Sequence, residues 1–185
     1  MTTLPNARLP ILGFAAFSGT GKTTLLCKLL PLLKARGVRA GLIKHAHHDF
    51  EIDYPGKDSY LLRKAGASPV MLSSSRRRVV IFEHGEPCES GLNEELAHFD
   101  QACLDLILVE GFRHERFPKI ELHRPVLGKP LLFPEDDCII AVAIDGEPEW
   151  NGSPRIPVLN LNDAEQIAEF MMKDFLAHRI EKSVR

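Results

Sequence analysis

The feature that most constrains the fold is a glycine-rich stretch, residues 16–23, which lies between an apolar run and a leucine-rich segment. It reads Ala-Phe-Ser-Gly-Thr-Gly-Lys-Thr and departs from the phosphate-loop pattern G-x-x-x-x-G-K-[ST] only at the first position, where Ala16 stands. The apolar run at residues 11–16 predicts a β-strand, and the stretch at 23–36 predicts a helix that ends at Gly37. The order of strand, glycine-rich loop and helix predicts a loop that binds a nucleoside triphosphate.

The residue types in this loop suit a phosphate ligand. Gly19 and Gly21 can adopt positive φ angles, which let successive backbone N–H groups turn toward a bound anion. Lys22 is expected to reach the β- and γ-phosphates, the Thr23 hydroxyl to bind Mg²⁺, and Thr24 to face the base or cap the helix locally. The alternative is a glycine-rich turn without a ligand. The predicted nucleotide-binding residues of the loop are Ser18, Gly19, Thr20, Gly21, Lys22, Thr23 and Thr24.

Apolar runs and amphipathic segments alternate along the rest of the chain. Short β-branched or leucine-rich runs predict strands at residues 40–44, 70–72, 79–82, 106–109, 120–122, 139–144 and 158–159. Helices are predicted at 57–67, at 92–102 and after the capping pair Asn162 and Asp163. Strands that alternate with helices predict an α/β fold with a mostly parallel sheet flanked by helices. The length of 185 residues suits a single nucleotide-binding domain over residues 1–185.

Composition and charge narrow the functional classes. A hydrophobic fraction of 44% and a formal net charge of −2 are typical of a soluble globular protein and supply no summed positive field for non-specific binding of nucleic acid or membranes. No apolar stretch approaches the roughly 20 residues that span a bilayer, so a cytoplasmic protein is expected. The cysteines form no Cys-x-x-Cys pair, which favours reduced thiols, and three of the four lie in apolar segments and are expected in the core. The four cysteines are Cys27, Cys88, Cys103 and Cys138.

A carboxylate follows the most apolar strand candidate. Residues 106–109 read Leu-Ile-Leu-Val, and Glu110 and Gly111 come directly after them. A strand this apolar is expected at the centre of a parallel sheet, whose carboxyl edge faces the ligand crevice. Glu110 is therefore the predicted second metal-binding residue beside Thr23, and an ordinary surface glutamate is the alternative.

An acidic and histidine-rich loop, residues 44–58, follows the second predicted strand and should lie at the same edge of the sheet. Besides a solvated loop without chemistry, two functional hypotheses remain open. In the first, three carboxylates orient Mg²⁺ and the attacking water; these predicted catalytic residues are Asp49, Asp53 and Asp58. In the second, three histidines bind a transition metal. They are His45, His47 and His48.

Further charged residues follow predicted strands. Asp145 comes directly after residues 139–144, and its carboxylate could accept hydrogen bonds from N1 and N2 of guanine; a turn aspartate before Gly146 fits the sequence equally well. Arg113 follows the metal-binding candidate closely enough to reach an anionic substrate or partner. The arginine run at residues 76–78 is expected to form a solvated strand edge.

Several of these segments resemble a known family, the small GTP-binding accessory proteins of molybdopterin guanine dinucleotide biosynthesis, of the MobB type. The resemblance rests on the loop FAAFSGTGKTTL, on GLIKH with HHD, on PGKDSY with RKAGA, and on LDLILVEGF. These segments are residues 14–25, 41–45, 47–49, 55–60, 63–67 and 104–112.

The resemblance implies the three-layer sandwich of P-loop NTPases and a homodimer that binds GTP with Mg²⁺ and hydrolyses it weakly. It also implies that the protein assists the molybdopterin guanylyltransferase, which joins GMP to molybdopterin, and acts beside molybdopterin-inserting proteins. Related dimeric ATPases carry a lysine early in the loop, where this chain has Phe17, so catalysis across the dimer by such a lysine is not expected.

Two other functions remain open on the residues alone. A small-molecule kinase would use Arg113 and Arg116 in a lid that closes over the phosphates. A metal-delivery GTPase would use the three histidines of the acidic loop, and stoichiometric binding of nickel or zinc would distinguish it.

Overall fold

The structure, a computed structural model, describes residues 4–46, 50–86, 88–147 and 154–177. The chain divides into two compact units. Unit 1 comprises residues 1–45 and 91–185, and unit 2 comprises residues 46–90. The expectation of a single domain over residues 1–185 stays a prediction.

Strands and helices alternate through the part of the chain that the structure describes. The strands are β1 (Ile11–Ala15), β2 (Ala40–Lys44), β3 (Val70–Ser73), β4 (Arg78–Ile81), β5 (Leu106–Glu110), β6 (Lys119–His123), β7 (Ile139–Ile144) and β8 (Val158–Asn160). The α-helices are α1 (Lys22–Ala35), α2 (Asp58–Lys64), α3 (Leu92–His98) and α4 (Ala164–Phe170). A 3₁₀ turn follows β6 at Pro125–Leu127, and a π-helical segment, Met171–Leu176, continues α4. Of the helices in these ranges, none is both long and apolar enough to cross a membrane.

Unit 1 is built around one six-stranded sheet in the order β2-β5-β1-β6-β7-β8. Every neighbouring pair is parallel, and β1 lies between β5 and β6. Parallel neighbours need long crossover connections, which helices supply, and such a sheet is covered on both faces. The predicted α/β fold with a mostly parallel sheet flanked by helices is confirmed.

The two faces of this sheet carry two separate apolar clusters, because successive side chains of a strand point to opposite sides. Leu12 and Phe14 of β1 belong to the cluster that contains the buried residues of α1 and α4. Ile11 of the same strand belongs to the other cluster, with Leu92 and Leu96 of α3. Helices therefore cover both faces and make three layers.

The C-terminal helix α4 begins and packs as its sequence predicts. The Asp163 carboxylate accepts a hydrogen bond from the backbone N–H of Gln166 at 3.0 Å, which satisfies one free donor of the first turn. The apolar side chains that were predicted to face the core are all buried. They are Ile167, Phe170, Met171 and Phe175.

Unit 2 contains a hairpin of its own. β3 and β4 pair antiparallel, with Met71 opposite Val80, and form a separate two-stranded sheet. In the same unit the buried Arg63 side chain forms ion pairs with Glu51 and Glu83. The two strands predicted in this region therefore exist but lie outside the parallel sheet, since a connection this short can join only antiparallel neighbours.

The expectation that the cysteines pack in the core is wrong. Cys27, Cys88 and Cys103 are exposed, and Cys138 is half-buried. On α1 the physical reason is the helical period: the leucine stripe faces the sheet, and Cys27 lies outside that stripe. The buried stripe consists of Leu25, Leu26, Leu29 and Leu33.

The amino ends of β2 and β5 are tied together by an ion pair. Arg39 donates from Nε and Nη2 to the two oxygens of the Asp105 carboxylate at 2.9 and 2.8 Å, and its backbone N–H donates to the same carboxylate at 2.8 Å. The hydrogen bonds from Arg39 lower the pKa of Asp105 from its usual 3.8 to about 2.

We expect Asp105→Asn to remove a pH-dependent part of the stability. The folded-state pKa lies below the unfolded one, so the contribution of Asp105 is present above the usual pKa of 3.8 and is lost as the pH falls toward about 2. The difference in free energy of unfolding between the wild type and the variant, measured by urea denaturation, should shrink across this range. A difference that does not change with pH would contradict this role of the ion pair.

Candidate functional site

The candidate site lies at the carboxyl edge of the sheet in unit 1. The phosphate loop, residues 16–23, follows β1, Glu110 ends β5, and Asp145 follows β7. Because β5, β1, β6 and β7 are neighbours and run parallel, their carboxyl ends meet at one edge. The fold therefore brings the loop, the metal candidate and the base candidate to the same edge.

The backbone of the phosphate loop uses its glycines as predicted. Gly19 has a φ of +82° and Gly21 a φ of +101°, in the left-handed region that residues with a Cβ rarely adopt. Thr20 between them is 2% exposed, and its hydroxyl donates to the Phe17 carbonyl at 2.8 Å. The backbone N–H of Thr20 donates to the same carbonyl at 3.4 Å, so both donors of Thr20 brace the turn of the loop.

The side chain of Lys22 bends back over the loop. Its ammonium donates to the carbonyl oxygens of Ala16 and Phe17 at 3.1 and 3.3 Å. Partial burial lowers the pKa of Lys22, an effect that Glu110 opposes and nearby cations reinforce. A partly desolvated ammonium is well suited to a charge-assisted contact with an anion.

Several loop residues face solvent. Ser18, Gly19, Thr23 and Thr24 are exposed, and the two threonines lie in the first turn of α1. Backbone donors of a helix N-terminus and of a glycine-rich turn are then accessible to a ligand. The nucleotide contacts assigned to the loop residues stay predictions.

Glu110 closes the buried strand β5 at this edge. Its side chain is 13% exposed, and its carboxylate lies 3.5 Å from the ammonium of Lys44 on the neighbouring strand. The carboxylate also acts electrostatically on Lys22, which places it within range of the phosphate loop. Carboxylate and hydroxyl oxygens are ligands that Mg²⁺ accepts, so Glu110 and Thr23 have the chemistry that the predicted metal requires.

The backbone just beyond Glu110 is tightly constrained by His45, the residue that follows β2. The His45 N–H donates to the Glu110 carbonyl at 2.8 Å. Gly111 has a φ of +103°, and a Cβ at this position would lie 2.6 Å from the Cβ of His45. Phe112 also has a positive φ, +50°, and its ring stacks on the His45 imidazole with centroids 4.6 Å apart. These contacts hold the end of β5 against the end of β2 and thereby position Glu110.

The histidines of the acidic loop are only partly covered by the structure. His45 stacks on Phe112, whereas His47 and His48 lie outside the described residues. In the described ranges the one cluster of possible metal ligands contains no histidine and consists of Asp136, Asp137 and Cys138. Its carboxylates pair at 2.7 Å with Lys119 and Arg116, respectively, so ion pairing accounts for the cluster.

The aspartates of the acidic loop belong to unit 2, and Asp49 lies outside the described residues. Asp53 is 7% exposed; one of its carboxylate oxygens accepts from the Tyr54 N–H at 3.0 Å, and the other has no partner among the described residues. Asp58 accepts from the Ser59 N–H at 2.8 Å at the start of α2. The catalytic roles of Asp49, Asp53 and Asp58 stay predictions.

Asp145 belongs to a network that sequence reasoning missed. Arg124, which follows β6, donates to the Asp145 carboxylate and, through Nε, to the Thr20 carbonyl at 2.8 Å. The side-chain amide of Asn162 donates to the other Asp145 oxygen at 2.6 Å. One signal was available, since Arg124 stands directly after a strand candidate, as Glu110 does; only the strand order shows that this strand lies between β1 and β7.

The other arginines singled out in the sequence, Arg113, Arg116 and the run at residues 76–78, lie in different surroundings. The guanidinium of Arg113 lies 5.9 Å from the centre of the Phe17 ring, beside the phosphate loop. Arg116 forms an exposed ion pair with Asp137 at 2.7 Å. Residues 76–78 are exposed in the hairpin of unit 2, as expected of a solvated edge. The ion pair of Arg116 does not favour the shared lid that a kinase would need.

A parallel sheet with this strand order, a phosphate loop between its first strand and α1, and a carboxylate on the adjacent strand define a P-loop NTPase-like α/β protein. Among solved structures, the crystal structure of Bacillus subtilis MobB has this fold. It aligns with a TM-score of 0.67 over 89% of this chain and 96% of that one, at 20% sequence identity.

The family model for "Molybdopterin guanine dinucleotide synthesis protein B", MobB, matches residues 11–145, and the chain belongs to this family. It is 47% identical over 166 residues to the molybdopterin-guanine dinucleotide biosynthesis adapter protein of Escherichia coli (strain K12), which covers 89% of this chain and 93% of the relative. The protein of the same name from Haemophilus influenzae is 41% identical over 174 residues, with 94% and 93% covered. The resemblance predicted from the sequence is confirmed.

We expect Gly111→Ala to destabilise the protein more than Gly146→Ala does. The two glycines have nearly the same φ, +103° and +101°, so the backbone strain of adding a Cβ is matched. Only at Gly111 does the Cβ clash with a neighbour, His45, whereas no atom lies within 4 Å at Gly146. The excess loss in free energy of unfolding, measured by urea denaturation, should be about 1–3 kcal/mol. Equal losses for both variants would show that the end of β5 relaxes freely.

Proposed function

We propose that this chain is a GTP-binding accessory protein that acts as an adapter in molybdopterin guanine dinucleotide biosynthesis. Membership of the MobB family and the adapter proteins of Escherichia coli and Haemophilus influenzae support the pathway. The observation that supports nucleotide binding is the conformation of the phosphate loop. Its Lys22 ammonium donates hydrogen bonds to two loop carbonyls, and two of its glycines have positive φ angles.

The triphosphate is proposed to bind in the loop between β1 and α1. The backbone N–H groups of residues 18–23 and the N-terminus of α1 supply donors and partial positive charge. Lys22 would exchange its two carbonyl contacts for the β- and γ-phosphates, a stronger partner because the acceptor is charged. Arg113, beside Phe17, adds positive charge at the rim of the loop.

Mg²⁺ is proposed to be held by the Thr23 hydroxyl and the Glu110 carboxylate. When bound, the ion would supply positive charge that offsets the charge of the phosphates. Lys44 now neutralises Glu110 at 3.5 Å, a separation at which a side-chain ammonium can move aside at small cost. The Lys44 side chain is 55% exposed, so its ammonium can move away from Glu110 into solvent.

Asp145 is the proposed reader of the guanine base. An ionised carboxylate offers about four acceptor sites, and Arg124 and Asn162 each use one oxygen. Acceptor capacity therefore remains for the N1 and N2 donors of guanine, a pair that adenine lacks. The same carboxylate is already oriented from two sides, which favours recognition.

Hydrolysis of GTP is proposed to be slow. Phe17 stands at the loop position where related dimeric ATPases carry a lysine, so stabilisation of the charge that develops on the phosphates falls to Lys22 and the loop N–H groups. The water is proposed to be oriented by carboxylates of the acidic loop, Asp49, Asp53 and Asp58. Weak turnover suits an accessory protein whose nucleotide is mainly bound and not consumed.

The proposed partners are the molybdopterin guanylyltransferase and molybdopterin-inserting proteins, met in the cytoplasm. The adapter function in the names of the two curated relatives supports such contacts. Nucleic acid and membranes are not proposed as partners, given the net charge of −2.

A second copy of the chain is the proposed partner of unit 2. Met71 and Val80 pair across the hairpin, and Phe82 follows on the same face; all three are exposed. A two-stranded sheet is marginal in water unless further strands or an apolar surface cover it. Exposed apolar patches of this kind mark association sites, and a homodimer would bury the same face twice.

Lys22→Ala is expected to lower the affinity for GTP with Mg²⁺ by about 2 kcal/mol or more, because a charge-assisted contact to phosphate is removed. Isothermal titration calorimetry measures the affinity of the wild type and the variant for GTP and for ATP. A separate assay measures the rate of hydrolysis of each nucleotide. Lys28→Ala removes an exposed lysine from the same helix and is the matched control.

A preference for GTP with slow turnover would support the accessory function. Rapid acceptor-dependent phosphate transfer from ATP would support the kinase instead. Unchanged GTP affinity in Lys22→Ala would refute the assignment of the phosphate loop.

The dimer proposal predicts that Val80→Glu yields monomers, since a charge at the centre of the apolar face must be desolvated on association. Light scattering coupled to size-exclusion chromatography reads the mass directly. Val126→Glu places the same charge on an exposed valine of unit 1 and should leave the dimer intact. A monomeric wild type, or dissociation by both variants alike, would argue against this face.

A further inference from the structure

Arg124 occupies the junction between the two halves of the candidate nucleotide site. Its guanidinium donates through Nε to the Thr20 carbonyl of the phosphate loop, through one Nη to the Asp145 carboxylate, and through the other Nη to the Asn162 side chain at 3.4 Å. Asn162 in turn donates to Asp145 at 2.6 Å, which closes the network. One side chain thus contacts both the loop assigned to the phosphates and the carboxylate assigned to the base.

The backbone of the sheet holds the members of this network in place. Arg124, Asp145 and Asn162 follow β6, β7 and β8, which are consecutive neighbours in the sheet. The N–H of Asp145 donates to the His123 carbonyl at 3.1 Å, so the ends of β6 and β7 are bonded to each other. The backbone of Arg124 is therefore held by the sheet, and its planar guanidinium group points toward Thr20, Asp145 and Asn162.

The contact with Thr20 constrains one particular peptide group. In a planar trans peptide the Thr20 carbonyl and the Gly21 N–H point in opposite directions. Gly21, with a φ of +101°, is the residue around which this peptide could rotate most easily. By holding the carbonyl, Arg124 determines where the Gly21 N–H points, and that N–H is one of the donors expected to face a phosphate.

We propose that Arg124 is a positioning residue that couples recognition of the base by Asp145 to the conformation of the phosphate loop. This proposal rests on the proposed function, since it needs a nucleotide that spans both halves of the site. A change at Asp145 alters the position of Arg124, and Arg124 transmits it to the Thr20–Gly21 peptide. Because such coupling is reciprocal, a correctly bound triphosphate also orders Asp145 for guanine.

The test uses inorganic tripolyphosphate, which occupies the loop and has no base. Its dissociation constant is measured calorimetrically for the wild type, Asp145→Asn, Arg124→Lys and the double variant. We expect each single change to weaken tripolyphosphate binding about fivefold or more, and the double variant to be no worse than the single ones. Lysine keeps the charge of Arg124 but cannot span Thr20, Asp145 and Asn162 at once, so Arg124→Lys leaves the net charge of the site unchanged.

The guanine preference supplies a second readout that a merely structural residue would not move. The ratio of ATP to GTP dissociation constants should fall in Arg124→Lys toward the ratio of Asp145→Asn. Arg36→Lys is the matched control, because Arg36 has similar exposure, 32% against 29%, and is likewise paired with a carboxylate, that of Glu165. It should leave both quantities at the wild-type value.

Unchanged tripolyphosphate affinity in Asp145→Asn would overturn the coupling even if Arg124→Lys failed to fold. Additive losses in the double variant would overturn it as well, since they would mean that Arg124 and Asp145 act independently. A wild type that binds neither GTP nor tripolyphosphate would refute the proposed function itself, an outcome distinguishable from the loss of coupling alone.

Discussion

The parallel pairing of β1 with β5 on one side and β6 on the other is the constraint on which the rest of unit 1 depends. It buries β1 on both faces and makes its carboxyl end emerge between Glu110 and Arg124. The phosphate loop then has to turn sharply between a buried strand and α1, which only glycines with positive φ permit. The position of each candidate residue at the site follows from this pairing, since each stands at or just after the end of a neighbouring strand.

Charge at this edge is balanced by neighbours, not by solvent alone. The Lys22 ammonium donates to loop carbonyls and is attracted by the Glu110 carboxylate. Its pKa is nevertheless lowered, because the effect of burial outweighs that attraction. Lys44 pairs with Glu110, and Arg124 with Asp145. At this edge the cations Lys22, Lys44 and Arg124 outnumber the carboxylates Glu110 and Asp145, and this excess of positive charge is the physical basis for the proposal that a triphosphate binds here.

The two units differ in how they are stabilised. Unit 1 closes its sheet under helices on both faces and contains two large apolar clusters, although three polar side chains of β6, Lys119, Glu121 and His123, are buried as well. Unit 2 has a two-stranded sheet, a short helix and an arginine buried against two glutamates, while many of its large apolar side chains stay exposed. Breaking such a buried pair is costly, although the pair itself contributes little net stability. The exposed apolar side chains of unit 2 are the basis for the proposed association with a second copy.

Local sequence patterns were enough to predict the glycine-rich loop and its positive φ angles, the strands Ala40–Lys44 and Ile139–Ile144, and the buried side of α4. Each of these features depends on residues that are close together in the chain. The family was predicted as well, because its motifs are distinctive. It was not enough for the cysteines, whose burial depends on which side of a helix meets the sheet, nor for the hairpin of unit 2, which pairs outside the parallel sheet. The sequence by itself determined which residues are candidates for binding phosphate. Only the tertiary structure decided that Arg124 joins Thr20 to Asp145, because strand order is set by non-local hydrogen bonds and brings together two side chains and a backbone carbonyl from three separate parts of the chain.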